Sequence, residues 1–306
     1  FCNDLMDGLN AYFAANGIDR KIKIYFYAYV FTSEPPIRNG QPTIKAREGV
    51  VAMYCPIFMD EAESIVAPDN SSEKAELDGW LKVCDEVWIW LYNACFYNYM
   101  YPRFSFNGIV ESVKYAHKVG VTTYFVEGQT YSYKLWSFGE LQNYLLSRTM
   151  WDTSLDQEEL TKDWFEHYYG EVSGYMKQVY DLMEANYNYW NIKSSLHNGT
   201  DGYAYQTAAI WPMAFLKQLI GLCDKALEQI EIYKQTDPEL YANLYEKINF
   251  EKIPFQYAIV QFYSSYFSDE YILALKKEVK KVATKIGAMH WREGTPISGL
   301  WELWGV

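Results

Sequence analysis

Four apolar segments, spaced at the length of a βα unit, constrain the fold of this chain most. They are rich in β-branched and aromatic residues and cover Ile22–Phe31, Gly49–Ile57, Glu86–Tyr92 and Val121–Val126. Their starts lie 27, 37 and 35 residues apart, which is enough for a strand, a crossover helix and two loops. Strands that are apolar almost throughout are typical of parallel sheets covered on both faces. We therefore predict an α/β structure with four parallel strands in the first half of the chain.

The spacing alone fits two folds. One is a (β/α)8 TIM barrel of which four units are visible, and the other is a flavodoxin-like open sheet. After residue 150 the pattern becomes helical, with apolar residues at helical spacing and helix-start signals at Ser154–Gln157 and Asp237–Pro238. We therefore expect an α/β domain over residues 1–150 and an α-helical domain over residues 151–306.

Composition excludes several classes of function. The net charge of −12 argues against a nucleic-acid partner, which requires a basic surface. The longest apolar stretches, Val87–Tyr101 and Ala208–Cys223, are interrupted by polar residues or proline, so no membrane span is expected. The five cysteines and four histidines show no metal-ligand spacing, and the chain contains no nucleotide-binding glycine motif. No metal and no cofactor are therefore predicted.

Glu127 is the most informative candidate residue. It directly follows the fourth apolar segment, and in barrels of parallel βα units the substrate meets the carboxyl ends of the strands. A carboxyl group at that position suits glycoside hydrolysis, which uses two such groups. Glu127 could instead cap the next helix or pair with Arg103 or Arg148. Candidates for a second carboxyl group follow the first two strands: Glu34, Asp60 and Glu61.

Aromatic and amide side chains follow the same strand ends. Aromatic rings stack on the apolar faces of sugars, and phenol and amide groups form hydrogen bonds with sugar hydroxyls. In a chain with so many aromatic residues, any one ring can instead pack in the hydrophobic core. Phe, Trp and Tyr make up 18% of the residues. The predicted substrate-binding residues are Tyr29, Tyr92, Asn93, Tyr97, Gln129, Tyr131 and Trp136.

Two runs of the sequence resemble a known bacterial family. They read WIWLYNACFYNYMYPRFSFNGIVESVKYAHKVGVTTYFVEG and ELQNYLLSRTMWDTSLDQEELTKDWFEHYYG. They resemble domain of unknown function 4838, with its W-x-Y strand, its F-x-E-G strand and its closing Y-Y-G. The resemblance covers residues 1–190 and is specific over 86–170. Glu127 matches the glutamate of F-x-E-G and Tyr92 the tyrosine of W-x-Y, whereas Leu91 stands where many members carry Asp.

The resemblance extends to the barrels of α-glucuronidases and hexosaminidase-like glycosidases. It implies the C-terminal half of a (β/α)8 barrel, with Glu127 as a catalytic or substrate-orienting residue of a glycoside hydrolase that acts on a complex glycan. The implied partners are a carbohydrate and either the N-terminal half of the barrel or another chain. It also implies export to the periplasm or the cell exterior, with the signal peptide outside this chain.

Two other functions stay open at this point. The first is a non-catalytic carbohydrate-binding protein on a glycosidase scaffold, which the Leu91 departure favours. The second is a structural interaction module whose surface is formed by the long helices of residues 205–290.

Overall fold

The computed structural model describes residues 1–128, 135–194, 199–200 and 205–306, and these form two compact units. The sheet unit consists of residues 1–93, 107–127 and 149–153, and the helical unit of residues 94–106, 128–148 and 154–306. The predicted division of the chain into domains at residue 150 stays a prediction.

The sheet unit is built on four parallel strands, which confirms the α/β prediction. They are β1 (Ile24–Tyr29), β4 (Val50–Cys55), β5 (Val87–Asn93) and β6 (Tyr124–Gly128), and a short hairpin of β2 (Ile37–Arg38) and β3 (Gln41–Pro42) lies between the first two. The last strand begins later than predicted, because the Val121 N–H donates back to the carbonyl oxygen of Ala116 at 2.9 Å. Residues 121–123 thus connect the preceding helix to the strand.

The strand order separates the two folds that the spacing allows. The strands are neighbours in the order β1, β4, β5, β6, so each new strand is added on the same side of the previous one. A doubly wound sheet such as that of flavodoxin reverses this direction at a switch point. No reversal and no closed barrel are present within the described part of the chain.

Helices cover one face of this sheet. They are α1 (Cys2–Ala15), α2 (Ser71–Val83) and α3 (Phe106–Lys118). Trp80 of α2 packs edge-on against Phe26 of β1 with 5.3 Å between ring centroids. The Tyr54 hydroxyl of β4 donates to Glu76 of α2 at 2.8 Å. Because side chains alternate between the faces of a strand, Phe26 and Tyr54 mark the helix-covered face.

The opposite face, here called the aromatic face, carries rings from three strands. Its aromatic residues are Tyr25, Tyr27, Tyr29, Trp88, Trp90, Tyr92 and Phe125. Tyr25 and Tyr27 are nearly half exposed, at 47% and 49%, and Phe125 is 46% exposed. Within the described residues, the edge strands β1 and β6 therefore lack on this face the cover that the sequence pattern leads us to expect. A tyrosine counts as apolar in a sequence pattern, although its hydroxyl tolerates water.

The helical unit contains most of the remaining helices. The chain continues through α4 (Gly139–Trp151), α5 (Gln157–Tyr169), α6 (Ser173–Ser194), α7 (Met213–Ile230), α8 (Tyr233–Thr236), α9 (Pro238–Tyr263), α10 (Asp269–Lys285), strands β7 (His290–Arg292) and β8 (Thr295–Pro296), and α11 (Ile297–Trp304). The C-terminal Trp301 and Trp304 pack into a core cluster with Ile253 and Tyr257 of α9 and Val279 of α10.

The sequence predicts the starts of two helices, and the structure confirms one of these predictions and contradicts the other. Asp237 caps α9 by accepting from the Leu240 N–H at 3.0 Å, with Pro238 as first residue, as predicted. The predicted capping box at Ser154 is wrong, because α5 is capped by Asp156, which accepts from the Glu159 N–H at 2.9 Å.

One carboxyl group is enclosed in the helical unit. Glu251 of α9 is 6% exposed. It accepts hydrogen bonds from the Phe138 N–H and, at 3.1 Å, from the Tyr169 hydroxyl. Burial raises the pKa of Glu251 to about 8, so this side chain holds its proton over most of the physiological pH range.

Candidate functional site

The carboxyl ends of the four parallel strands bring together three of the predicted site residues. Tyr29 ends β1, Cys55 ends β4, Tyr92 is the penultimate residue of β5, and Glu127 is the penultimate residue of β6. Tyr29 and Cys55 are register partners. We call these four residues the strand-end cluster, and all of them belong to the aromatic face.

Glu127 is held by a residue from the neighbouring strand. The Trp90 indole N–H donates to Glu127 Oε2 at 3.1 Å. The Trp90 ring is itself fixed by Phe125, at 4.2 Å between centroids, and by Tyr27, at 5.8 Å. The rings of Phe125 and Tyr27 hold the Trp90 indole in place, and the indole in turn bonds the carboxyl group. The carboxyl group therefore has a defined orientation at the strand end.

Tyr92 is a buried phenol beside this carboxyl group. Its side chain is 6% exposed, and burial raises its pKa above the ordinary value. The neighbouring Cys55, Tyr29 and Glu127 raise it further, and a hydrogen bond joins Tyr92 to Tyr29. The phenol therefore keeps its proton at neutral pH, and its oxygen can accept a hydrogen bond from a ligand hydroxyl.

Cys55 contributes a thiol, not a thiolate. Burial, with Glu127 as second cause, raises the pKa of Cys55 to about 12. Its Sγ lies 3.4 Å from the carbonyl oxygen of Met53. Because the thiolate is the nucleophilic form, Cys55 is unsuited to covalent catalysis at neutral pH. It lies at the end of β4, the strand between β1 and β5.

The remaining predicted binding residues have other surroundings. Asn93 is 4% exposed and points, by strand alternation, to the helix-covered face, and its Oδ1 has no hydrogen-bond partner among the described residues. Tyr97 is 53% exposed in the helical unit. Trp136, also in the helical unit, is 5% exposed, with the Arg103 guanidinium 5.2 Å from its ring centre. Gln129 and Tyr131 lie outside the described residues. The binding roles of these residues stay predictions.

The three candidates for a second carboxyl group lie in the turn after β1 and in the loop after β4. Glu34 is exposed in the turn after β1. Asp60 and Glu61 are each 1% exposed, in the loop after β4. Asp60 Oδ1 accepts from the Ala62 N–H at 3.0 Å, so this carboxyl group shapes its own loop.

The sequence interpretation missed Trp90. Its signal was available: with a period of two along β5, Trp90 shares a face with Tyr92. What the sequence could not supply was the register between β5 and β6, which sets Phe125 beside Trp90 and lets the Trp90 indole reach Glu127.

Three further findings concern metal ligands, membrane spans and cavities among the described residues. No group of three or more His, Cys, Asp or Glu side chains within them could hold a metal ion. No helix in the described ranges combines the length and the apolar composition that crossing a bilayer requires. An apolar cleft of about 260 Å³ lies on the helix-covered side between Phe1, Phe26 and Trp80, and it contains none of the predicted site residues.

The fold and the site together define an α/β protein with a singly wound parallel sheet and one acidic group among aromatic side chains at the carboxyl ends of its strands. Residues 1–181 match the family described as Domain of unknown function (DUF4838), and the chain belongs to this family. No curated protein and no solved structure matches the chain significantly.

Proposed function

We propose that this protein is a glycoside hydrolase-like protein that acts on a complex glycan at the strand-end cluster. The observation that carries the proposal is the Glu127 carboxyl group, held at the end of β6 by Trp90 at 3.1 Å and flanked by the buried phenol of Tyr92. Such a group can stabilise, attack or deliver a proton to a glycosidic centre, and the phenol can bind a sugar hydroxyl.

Hydrolysis of an O-glycosyl bond requires a second carboxyl group on the other side of the sugar ring. Asp60 and Glu61 are buried in a loop, and Glu34 is exposed in a turn. We propose that the second group comes from the protein layer that covers the aromatic face.

The aromatic face itself supports such a layer. Its neighbouring rings are tilted against one another, at angles from 34° between Trp90 and Tyr92 to 88° between Tyr25 and Tyr27. Sugar stacking on an extended surface favours coplanar rings, whereas tilted rings are typical of a packed core. Among the described residues, no strand pairs with the outer edges of β1 and β6, and an open edge is a site where a further strand can pair. We propose that further βα units, in the same protein or in another chain, complete a (β/α)8 barrel here.

The proposed location is the periplasm or the cell exterior. It is supported by the resemblance to glycosidases that act on plant or host glycans. Fractionation of the native host, with detection of the protein in the cytosol alone, would reject this part of the proposal.

Substitution of Glu127 tests the proposal. In the intact protein, Glu127→Gln should reduce hydrolysis of its cognate glycan by about 10³-fold, the range for loss of a catalytic carboxyl group. Glu86→Gln is the matched control, because Glu86 lies at the opposite end of β5 and pairs with Lys23 at 2.6 Å. It should leave hydrolysis unchanged. Equal activity of the Glu127→Gln variant and the wild type would reject the catalytic role.

A non-catalytic carbohydrate-binding protein is the second candidate. It is favoured by the presence of one carboxyl group, Glu127, in the strand-end cluster and by Leu91 at a position where many family members carry Asp. Calorimetry that records glycan binding, together with chromatography that shows no product, would select this function over the first.

A further inference from the structure

The turn that follows β1 has an unusual backbone. Val30, the residue after Tyr29 of the strand-end cluster, has a φ of 50°. Left-handed backbone is disfavoured for β-branched residues, which crowd the following carbonyl group. Strained residues of this kind persist where the surrounding structure holds them, and they concentrate at functional sites.

Hydrogen bonds hold this turn on both sides. The Thr32 hydroxyl lies 3.0 and 3.1 Å from the carbonyl oxygens of Tyr27 and Tyr29, as donor, and accepts from the Tyr29 N–H at 3.2 Å. The next residue, Ser33, accepts from the Trp80 indole N–H at 2.6 Å. The turn is thereby fixed to β1 at one end and to α2 at the other.

The consequence of this fixed turn is the position of Phe31. Its side chain is 100% exposed, so it contributes nothing to the core. The turn that carries it is nevertheless strained and held by hydrogen bonds at both ends. Phe31 lies two residues after Tyr29, at the carboxyl edge of the sheet, where the strand-end cluster lies. A fully exposed phenylalanine on a rigid support is a pre-organised contact surface.

We propose that Phe31 is a sugar-stacking residue that forms an outer subsite for the glycan bound at the strand-end cluster. This inference rests on the proposed function and adds a specificity-determining position to it. A pyranose suits this position because one isolated ring covers its C–H face, while the exposed carboxyl group of Glu34 can meet its hydroxyls. A protein partner would need a larger contiguous apolar patch.

The test measures binding of the intact protein to defined probes. Affinity electrophoresis through gels containing xylan, glucomannan, arabinogalactan or mucin first shows which polymer retards the wild type, and that polymer is the probe for the variants. Phe31→Ala should weaken retardation at least tenfold, and Phe31→Tyr, which keeps an aromatic ring, should preserve it. Tyr12→Ala is the control, because Tyr12 of α1 is 58% exposed and lies outside the strand ends.

A second variant separates stacking from folding. Thr32→Val keeps the shape of the side chain but removes the hydroxyl that bonds the turn to β1, so it frees the turn and should weaken binding of the same polymer. Retardation that is unchanged in Phe31→Ala would overturn the inference and leave the proposed function standing. A lower melting temperature of Phe31→Ala with unchanged retardation would also overturn it, since Phe31 would then pack against protein. Failure of the wild type to bind any of the four polymers would overturn the proposed function and this inference with it.

Discussion

The indole N–H of Trp90 and the carboxyl group of Glu127 join neighbouring strands by a hydrogen bond of 3.1 Å. Removal of one partner from a partly buried hydrogen bond costs about 1–3 kcal/mol. Trp90→Phe keeps an aromatic ring between Phe125 and Tyr27 but removes the donor. It should lower kcat for the cognate glycan by about tenfold or more with a smaller change in KM, as measured by steady-state kinetics.

The matched control for that variant lies two residues earlier on the same strand. The Trp88 indole donates to Glu86 at 2.7 Å, at the end of β5 far from Glu127. Trp88→Phe removes an equivalent hydrogen bond and should leave kcat unchanged. Equal losses in the two variants would show that Trp90 acts only through the stability of the sheet.

A second prediction concerns the close approach of α3 to the loop after β4. A Cβ atom at Gly108 would lie 2.5 Å from the carbonyl oxygen of Glu61 and 2.5 Å from the carbonyl carbon of Ala62. Backbone atoms cannot rotate away as a side chain does, so Gly108→Ala should destabilise the protein by about 2 kcal/mol or more. Thermal unfolding followed by circular dichroism measures this effect.

Gly221 provides the comparison for the glycine experiment. It lies inside α7, and a Cβ atom there would meet nothing within 4 Å. Gly221→Ala should therefore stabilise the protein by about 0.5–1 kcal/mol, through helix propensity alone. A Gly108→Ala variant that unfolds at or above the wild-type temperature would contradict the close contact.

Much of the fold follows from short-range patterns in the sequence, which is why the four parallel strands and the start of α9 were predictable. The exposed rings of Tyr25 and Tyr27 were not, because a run of tyrosines has the same apolar pattern whether or not a second layer covers it. The start of α5 was misplaced since two capping residues, Ser154 and Asp156, lie within three positions of each other.

For the candidate site too, the sequence predicted local features but not the contacts that depend on tertiary structure. Strand ends predicted Glu127, Tyr92 and Tyr29 as neighbours, because parallel strands end at one edge of a sheet. The partner of Glu127 depends on the register between β5 and β6, and the exposure of Phe31 depends on the backbone of Val30. Both are set by tertiary structure, which local spacing does not encode.

A third prediction concerns Asn70, which holds the loop that contains Asp60. Asn70 is fully buried; its Oδ1 accepts from the Asp60 N–H at 2.7 Å. Its Nδ2 donates to the carbonyl oxygens of Asp60, Glu63 and Ser64 at 3.0–3.1 Å. Asn70→Ala leaves these groups unpaired in the interior and should cost about 3 kcal/mol of unfolding free energy. Urea denaturation measures the loss.

The exposed Asn16 is the control for Asn70. Its Nδ2 makes one hydrogen bond, to the carbonyl oxygen of Tyr12 at 2.8 Å. Asn16→Ala should cost less than about 0.5 kcal/mol, as expected for an exposed position. A loss at Asn70 as small as that at Asn16 would refute the assignment of Asn70 as the organiser of the loop.

A fourth prediction is the pH dependence that Glu251 confers on stability. Its pKa is about 8 in the folded protein, against an ordinary value of 4.5. Between these values the folded state retains a proton that the unfolded state loses, so this group makes the protein less stable as pH rises from about 4.5 to about 8. The total effect is on the order of 3–5 kcal/mol.

Glu251→Gln should remove that contribution, because the amide does not titrate in this range and can still accept from the Phe138 N–H. We expect the free energy of unfolding of the variant, from urea titrations at pH 5, 6.5, 8 and 9, to fall less with pH than that of the wild type. Parallel pH profiles of the two proteins would show that Glu251 is ionised in the folded state.

A crystal structure of the intact protein with a bound oligosaccharide tests the central claim most directly. We expect a sugar ring at the carboxyl ends of β1, β4, β5 and β6, with a glycosidic or hydroxyl oxygen about 3 Å from the Glu127 carboxyl group and a second oxygen within reach of the Tyr92 phenol. An oligosaccharide bound elsewhere, with Glu127 enclosed by protein and out of contact with the sugar, would contradict it.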